Sequence, residues 1–271
     1  MEPELQRRVQ RYGWDKASPY YENSWQAQLK PAQDKLLLLT NIQPGEKIID
    51  IACGTGLVSF RALEAAGENG FVLGVDISDK MVETANETAK KTNQANVQFA
   101  RMDAEELNTL NDEYDAAVCA LGLMYMPDPT KALKEMHRVL KPGGRCAIAV
   151  WGKRSNCGWA EIFGIVDKRV SSEVCPMFFN LGTNDMLKRS MLAAGFSKIH
   201  AELINTLLYY DSAEHACDAA FAGGAVALPY FKFSDGVKNE VHAEYLASID
   251  PYKKSNGYFV PGEFVIAIGF K

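Results

Sequence analysis

The sequence predicts an α/β fold, with a seven-stranded, mostly parallel sheet, helices on both faces of the sheet, and a cap of helices and aromatic residues. Two observations carry this prediction. Short apolar runs alternate with helical patterns between residues 32 and 151, and strands joined through helices form parallel sheets with right-handed crossovers. The runs are also continuously apolar, which is typical of strands buried on both faces.

Each predicted strand is a short run rich in Val, Ile, Ala or Leu, bounded by turn residues or by a helical pattern. Five such runs lie in the first part of the chain, and two later runs complete the sheet. In chain order, the predicted strands are Lys47–Cys53, Gly70–Asp76, Val97–Asp103, Asp115–Leu123, Arg145–Trp151, Lys198–Tyr210 and Phe264–Phe270.

Capping residues predict several helix ends. Ser78 can cap a helix over Asp79–Thr92, and Asp128 can cap a helix whose first turn contains Pro129, because these side chains accept hydrogen bonds from free N–H groups and Pro fits the first turn. The other predicted boundaries are a turn at Lys141–Gly144 that leads into the next strand, and a helix over Asn184–Ala194 that ends at Gly195.

The composition excludes several classes of partner. The formal net charge is -5 and the pI is about 5.5, and no dense Lys/Arg cluster is present of the kind that nucleic-acid enzymes use against phosphates. No apolar run approaches the roughly 20 residues of a membrane helix. The six cysteines form no CxxC pair, which favours reduced thiols in a cytoplasmic protein and no metal site. We expect no nucleic-acid or membrane partner.

The strongest local signal is a Gly-rich turn between the first strand and the next helix, at Asp50–Gly56. Small residues let a ligand approach the backbone, whose N–H groups at a helix start bind polar atoms. A dinucleotide site needs a third Gly or Ala and binds a pyrophosphate. Ser59 occupies that third position, and the carboxylate of Asp50 is an unfavourable neighbour for a pyrophosphate. The turn therefore indicates a nucleoside rather than a dinucleotide.

Two further acids end the next two predicted strands. Asp76 ends the second strand, where a carboxylate can accept hydrogen bonds from both hydroxyls of a ribose. Asp103 ends the third strand. Either acid alone could be a helix cap, but the glycine turn and both acids in this order predict a nucleoside site.

These motifs resemble those of the class I S-adenosylmethionine-dependent methyltransferases, which have a Rossmann-like fold, and in particular the group of the ubiquinone and menaquinone biosynthesis enzymes. Asp50–Gly56 matches the glycine motif of that family, Asp76 its ribose acid and Asp103 its adenine-contact acid. Ala120–Met124 lies where the fourth strand meets the cofactor, and Leu140–Gly144 matches the turn before the fifth strand. The resemblance covers residues 35–151 well.

The resemblance implies S-adenosyl-L-methionine as the cofactor. It also implies one methyltransferase domain over residues 1–271, with an N-terminal cap (1–31), a cofactor-binding core (32–151), a substrate-side cap with the sixth strand (152–258) and the last strand (259–271). The expected cofactor-binding residues are Asp50, Ala52, Cys53, Gly54, Gly56, Asp76, Ile77, Met81, Met102, Asp103, Ala104, Ala120 and Leu121.

The acceptor is expected to be a small, apolar or ring-bearing molecule. A methyl group on a positive sulfur is already activated, so the enzyme mainly has to align the acceptor in line and exclude water. The Asp/Asn-Pro-Pro-Tyr motif of adenine- and glutamine-methylating enzymes is absent after the fourth strand. Aromatic residues in the predicted caps suit a ring-bearing ligand. The substrate-pocket candidates are Tyr20, Tyr21, Tyr125, Trp151, Phe178 and Tyr230.

Two other functions stay open on the sequence alone. A protein or RNA methyltransferase has the same cofactor motifs, and a non-catalytic cofactor-binding protein would also retain them. The four histidines stand in positions that predict no general base, and catalytic residues, the methylated atom and the oligomeric state are left open.

Overall fold

The structure is a computed structural model, and it describes residues 2–170, 175 and 177–271. Its strands alternate with helices through the first half of the chain, as the sequence predicts, except between the third and fourth strands, which are joined without a helix. The strands are β1 (Lys47–Ile51), β2 (Phe71–Asp76), β3 (Val97–Arg101), β4 (Tyr114–Ala120), β5 (Leu140–Trp151), β6 (Ser197–Tyr210), β7 (Lys253–Lys254) and β8 (Gly257–Phe270).

The helices vary greatly in length, from a long N-terminal helix to single turns. They are α1 (Pro3–Thr40), α2 (Leu57–Ala66), α3 (Asp79–Lys91), α4 (Pro129–Val139), α5 (Glu161–Asp167), α6 (Met186–Ala193), α7 (Ala213–Cys217), α8 (Ala227–Tyr230) and α9 (Asp235–Ile249). Short 3-10 turns lie at Leu123–Tyr125, Arg154–Asn156 and Asp250–Tyr252, and a π-helical turn at Asp218–Ala222.

The sheet has the strand order β3-β2-β1-β4-β5-β8-β6, and the two-residue strand β7 pairs with β8. Strands β1 to β5 are parallel to one another. Strand β8 is antiparallel to both β5 and β6, so β6 runs in the same direction as the first five. The prediction of a seven-stranded, mostly parallel sheet is confirmed, with β7 as a short addition.

The first and fourth strands end before their predicted limits. Strand β1 stops at Ile51 because Ala52 has a left-handed backbone (φ +55°), and β4 stops at Ala120 because Leu121 does as well (φ +65°). A residue with positive φ breaks the extended conformation of a strand. Both breaks turn the chain at the carboxyl edge of the sheet, where the site lies.

The predicted turn at Lys141–Gly144 is instead a bulge inside β5. Leu140 pairs with Tyr114 and Arg145 pairs with Ala116, so residues 141–144 are looped out between two paired positions. A β-carbon on Gly144 would lie 2.8 Å from the carbonyl oxygen of Lys141, which explains the glycine there. Turn-forming residues therefore marked a bulge rather than the start of a strand.

The last strand is much longer than the sequence suggests. Strand β8 begins at Gly257, not at Phe264, and its first half pairs with the end of β6 from Tyr210 back to Asn205. Pro261 and Gly262 interrupt the apolar run in this stretch. Both residue types are rare in strand interiors, so the sequence did not predict a strand here. The pattern alone therefore assigned the stretch up to residue 258 to the cap.

The long helix α1 joins two segments that the sequence analysis separated at residue 31. The helix continues through Pro19 and Pro31, which are residues that usually interrupt helices. Its second half is held by a buried apolar stripe with helical spacing that packs against β5 and β8. The residues of that stripe are Trp25, Leu29, Ala32 and Leu36.

The predicted caps of α3 and α4 are confirmed. The Ser78 hydroxyl accepts a hydrogen bond from the backbone N–H of Met81 at 3.1 Å, and the Asp128 carboxylate accepts one from Lys131 at 2.9 Å. Helix α6 begins two residues later than predicted, because both residues before Met186 have left-handed backbones.

Candidate active site

A first cavity lies at the carboxyl ends of β1, β2 and β4, where the strand order reverses direction between β1 and β4. Such switch points are the usual ligand sites of open parallel sheets. The cavity has about 760 Å³ of empty space, including its opening to solvent. Its lining includes the predicted cofactor-binding residues Ala52, Gly54, Asp76, Ile77, Met81, Met102, Asp103, Ala104, Ala120 and Leu121.

Three predicted residues, Asp50, Cys53 and Gly56, lie beneath this lining and shape the glycine turn. Asp50 is 1% exposed and accepts a 2.6 Å hydrogen bond from the Ser59 hydroxyl. Burial raises the pKa of Asp50 to about 7. Gly56 has φ +91°, and a β-carbon there would lie 2.8 Å from the Phe60 ring. None of the three is in the lining of the first cavity, and their contact with a ligand stays a prediction. Ser59, which argued against a dinucleotide, fixes the carboxylate of Asp50.

Asp76 is held by backbone hydrogen bonds and lines the first cavity. One of its carboxylate oxygens accepts the backbone N–H of Gly54 and the other accepts that of Ser78, both at 2.9 Å. The side chain lines the cavity although the residue is only 8% exposed. Burial raises the pKa of Asp76 to about 6, and the two backbone hydrogen bonds oppose that rise. Each oxygen keeps a lone pair for a further donor.

The start of α1 closes over the far side of the first cavity. Arg7 forms ion pairs with Asp103 at 2.8 Å and with Glu105 at 2.5 Å. Glu105 is 2% exposed, and its other oxygen accepts the backbone N–H of Asp128 at 3.0 Å. Arg7 therefore ties the first turns of α1 to the predicted adenine-contact acid.

Further polar contacts fasten α1 to the start of α3. Asp15 accepts hydrogen bonds from the Ser78 hydroxyl at 2.7 Å and from the backbone N–H of Lys80 at 3.1 Å. Arg11 donates to Asp79. These polar contacts fasten the first half of α1 beside the first cavity. Sequence reasoning missed Arg7, Gln10 and Trp14 of α1, which line the first cavity, and only the aromatic density of residues 1–31 hinted at them. Tyr21, a predicted substrate-pocket residue, lines this cavity as well.

A second cavity, of about 560 Å³ including its opening, adjoins the first and is aromatic. No charged side chain is among the described residues that line it. The chain has four tryptophans, and every one of them lies in this lining. Its aromatic residues are Trp14, Tyr21, Trp25, Tyr125, Trp151, Trp159, Phe163, Phe178 and Tyr245.

Four residues line both cavities and so mark the place where they meet. They are Trp14, Tyr21, Leu121 and Tyr125. The Trp14 ring stands edge-on to Tyr21 and Tyr125, with centroids 5.9 and 5.2 Å apart. Burial raises the pKa of both phenols far above the ordinary value, and the carboxylates of Asp76 and Asp50 add to the rise at Tyr21. Both phenols are therefore neutral hydrogen-bonding groups.

The substrate-pocket candidates divide into two groups. Tyr21, Tyr125, Trp151 and Phe178 line the aromatic cavity. The structure does not bring Tyr20 and Tyr230 to it. Tyr20 comes one residue before Tyr21 on α1, so its side chain points about 100° away around the helix. It packs against Phe231, with ring centroids 5.8 Å apart.

Tyr230 belongs to a separate aromatic group behind the second cavity. Its hydroxyl lies 3.0 Å from the His242 ring nitrogen, and its ring stacks on Phe221. Sequence reasoning missed five aromatic residues of the second cavity, which are Trp14, Trp25, Trp159, Phe163 and Tyr245. They come from three distant segments, and no local pattern connects them.

Among the residues that the structure describes, no histidine lines either cavity. His137 packs against Phe196, His200 lies beside Glu202 and His215 beside Asp211. Within the same described part of the chain, no group of three or more metal-ligating side chains is close enough to hold an ion, and no helix is long and apolar enough to span a membrane.

Comparisons with known proteins agree with this arrangement. A sequence model described as a methyltransferase domain matches residues 42–168. A demethylmenaquinone methyltransferase of Listeria welshimeri is 31% identical over 155 residues, which cover 55% of this chain and 65% of that enzyme. The chain therefore spans a little under two thirds of that relative. A Staphylococcus epidermidis enzyme of the same name is 32% identical over 173 residues, covering 59% of this chain and 71% of the relative.

One solved structure with a similar fold is a phosphoethanolamine N-methyltransferase of Haemonchus contortus, in complex with phosphomonomethylethanolamine and S-adenosylhomocysteine. The TM-score is 0.59 at 18% identity, over 89% of this chain and 52% of that one. At this identity the likeness concerns the fold.

Proposed function

The chain belongs to the class I S-adenosylmethionine-dependent methyltransferases, in the menaquinone-methyltransferase-like group, and we propose that it methylates a small, neutral, ring-bearing molecule. The observation that carries this proposal is the junction of the two cavities. The first cavity has the acids of a nucleoside site, the second is aromatic, and four residues line both. A cofactor in the first cavity and an acceptor in the second would therefore meet at this junction.

The residues of the first cavity fit S-adenosylmethionine. Asp76 offers acceptors for the ribose hydroxyls, and Asp103 offers an acceptor for the adenine amino group. Gly54 has no side chain, so the cofactor can approach the backbone of the turn closely. The bound cofactor supplies a methyl group activated by its positive sulfur. The chain itself supplies orientation and a cavity shielded from water.

The acceptor is held by shape more than by charge. The aromatic walls of the second cavity exclude water and bury a flat ring. Tyr21 and Tyr125 can donate hydrogen bonds at the junction and so orient the acceptor toward the first cavity. Catalysis then rests mainly on proximity and alignment.

Methyl transfer from tritium-labelled S-adenosylmethionine tests this function. We expect labelling of neutral hydroxylated aromatic acceptors and not of small amines, peptides or RNA. Asp76→Ala should lose the activity, whereas Asp235→Ala, at an exposed carboxylate, should keep it. Labelling of a peptide or RNA would indicate a protein or RNA methyltransferase instead. Tight cofactor binding without transfer to any acceptor would favour a non-catalytic protein.

The same proposal includes the domain organisation and the compartment. The first half of α1 acts as the N-terminal cap of the cofactor site, and the elements between residues 152 and 258 form the substrate-side cap. All six cysteines are unpaired thiols, which supports a reducing, cytoplasmic location.

A further inference from the structure

We propose that the indole N–H of Trp159 selects acceptors that carry a carbonyl or similar oxygen on the ring, an inference that rests on the function proposed above. Trp159 lines the second cavity and is 5% exposed. Its Nε1 atom is buried and has no hydrogen-bond partner among the described residues. Buried donors in native structures nearly always have an acceptor, so a ligand oxygen is the natural partner for this one.

The surroundings of Trp159 offer rings rather than oxygen atoms. Its ring lies 4.7 Å from that of Trp151, 5.7 Å from that of Phe178 and 5.9 Å from that of Phe163, measured between centroids. Apolar rings provide no conventional acceptor for an N–H group. Leaving such a donor unpaired is unfavourable, and the group keeps this cost until an acceptor arrives.

Hydrogen bonds to strand β8 hold the backbone before Trp159, and the indole itself is buried among other rings. Glu263 is 3% exposed and accepts hydrogen bonds from the backbone of Lys153 at 2.9 Å and from the Asn156 side chain at 2.6 Å. The Gly158 N–H donates to the carbonyl of Pro261 at 2.9 Å. Strand β8 thus holds the loop that presents Trp159, and a fixed donor discriminates between ligands better than a mobile one.

The remaining lining narrows the ligand to a neutral molecule. An anion would find no cationic side chain among the described lining residues, and a cation would find no carboxylate. A cation could contact the aromatic faces, but it would leave the Trp159 donor without an acceptor. A flat, uncharged ring with an oxygen acceptor can pack against the aromatic lining and accept a hydrogen bond from the Trp159 N–H.

The test compares two probes of the same shape, 1-tetralone and tetralin, which differ by a carbonyl in place of a methylene group. Calorimetry is done on the protein saturated with S-adenosylhomocysteine. We expect the wild type to bind 1-tetralone about tenfold more tightly than tetralin, since a buried donor discriminates on this order. Trp159→Phe should bind the two probes equally. Trp25→Phe, which removes another indole from the same cavity, should keep the preference.

Two results would overturn the inference: equal affinities for the two probes in the wild type, or a preference that survives in Trp159→Phe. Should that variant fail to fold, nitrogen-15 spectra of the wild type decide instead. The Trp159 indole resonance should move downfield with 1-tetralone and not with tetralin, and an unmoved resonance would contradict the proposal. Failure of S-adenosylhomocysteine to bind would instead overturn the proposed function, so the two failures are distinguishable.

Discussion

Asp76 is the residue whose role the structure sharpens most. Its neighbour Ser78 caps α3, so the helix cap that could have explained Asp76 is already provided. Asp76 instead holds two backbone N–H groups and lines the cofactor cavity. In the proposed function this carboxylate binds the ribose, and it also holds the glycine turn through Gly54.

Asp76→Ala should weaken binding of S-adenosylhomocysteine by about 100- to 1000-fold, because charge-assisted hydrogen bonds to the ribose are lost. Asp76→Asn keeps one acceptor and should lose less. Calorimetry of both variants measures the change in affinity. A change below about threefold, together with a lowered melting temperature, would mean that Asp76 is only structural.

Affinity for the cofactor product should also depend on pH. The pKa of Asp76 is raised to about 6, mainly by burial, and hydrogen bonds from the ribose favour the ionised form. Affinity should therefore be nearly constant above about pH 7 and fall about tenfold from pH 7 to pH 5. In Asp76→Asn the fall should be much smaller, and an equal fall in the variant would assign it to another group.

The unliganded protein should show the opposite trend in stability. The folded-state pKa values of Asp76 and Asp50 lie above their unfolded values, so the folded state binds more protons. The contribution of these two acids to the free energy of unfolding is therefore greatest near pH 4 and is lost as the pH rises through about 6 and 7.

No histidine should be indispensable for turnover. His137, His200, His215 and His242 each have partners outside the two cavities. Changing each to Ala should lower the rate of methyl transfer by less than about 100-fold, which is the low end for a general base. A loss of several thousand-fold at any one of them, with the fold intact, would identify that histidine as the base.

Residue-scale prediction from the sequence succeeded where the position of a residue is fixed by the parallel sheet. Asp76 ends β2, and Asp103 lies two residues past the end of the neighbouring strand β3, which stops at Arg101 and not at the predicted Asp103. The carboxyl edge of the sheet therefore brings the two acids to one cavity. Prediction failed where the rotation of a helix about its axis decides which side chains face the site. Tyr20 and Tyr21 are adjacent in sequence, but only Tyr21 faces the site, and this phase depends on how α1 packs.

At the scale of elements, α1 connects the core to the cover of the first cavity. Its second half is part of the core, and its first half covers the cofactor cavity through Arg7, Asp15 and the ring of Tyr21. The sequence predicted a cap in this region but not its continuity with the core. Two prolines lower the local helix propensity, and tertiary packing overrides them.

Arg7→Ala should loosen the cover over the cofactor. Arg7 is partly buried and pairs with Asp103 and Glu105, so its loss should raise the dissociation rate of S-adenosylhomocysteine by about three- to tenfold, as expected for a partly exposed ion pair. Stopped-flow tryptophan fluorescence measures this rate, because all four indoles lie near the site. Arg8→Ala, at an exposed neighbouring position, is the matched control. Equal rates in the two variants would show that Arg7 does not close the site.

At the scale of the whole molecule, the sheet and the first cavity follow from local patterns, whereas the second cavity does not. The strand-end motifs lie within residues 47–104, and simple topology assembles them. The aromatic cavity takes Trp25 from α1, Trp159 from the loop before α5 and Tyr245 from α9. Only tertiary packing brings these segments together. The sequence therefore predicted an aromatic substrate pocket but not these three residues that line it.

The central claim is that the first cavity binds S-adenosylmethionine and not a dinucleotide, with the acceptor beside it. Calorimetric titration of the full chain with S-adenosylhomocysteine and, separately, with NAD tests this claim most directly. We predict one-to-one binding of S-adenosylhomocysteine at micromolar strength and no measurable heat with NAD at the same concentrations. Ser59 stands where a dinucleotide site has Gly or Ala, and the carboxylate of Asp50, which Ser59 holds, is an unfavourable neighbour for a pyrophosphate. Micromolar binding of NAD without any response to S-adenosylhomocysteine would contradict the account.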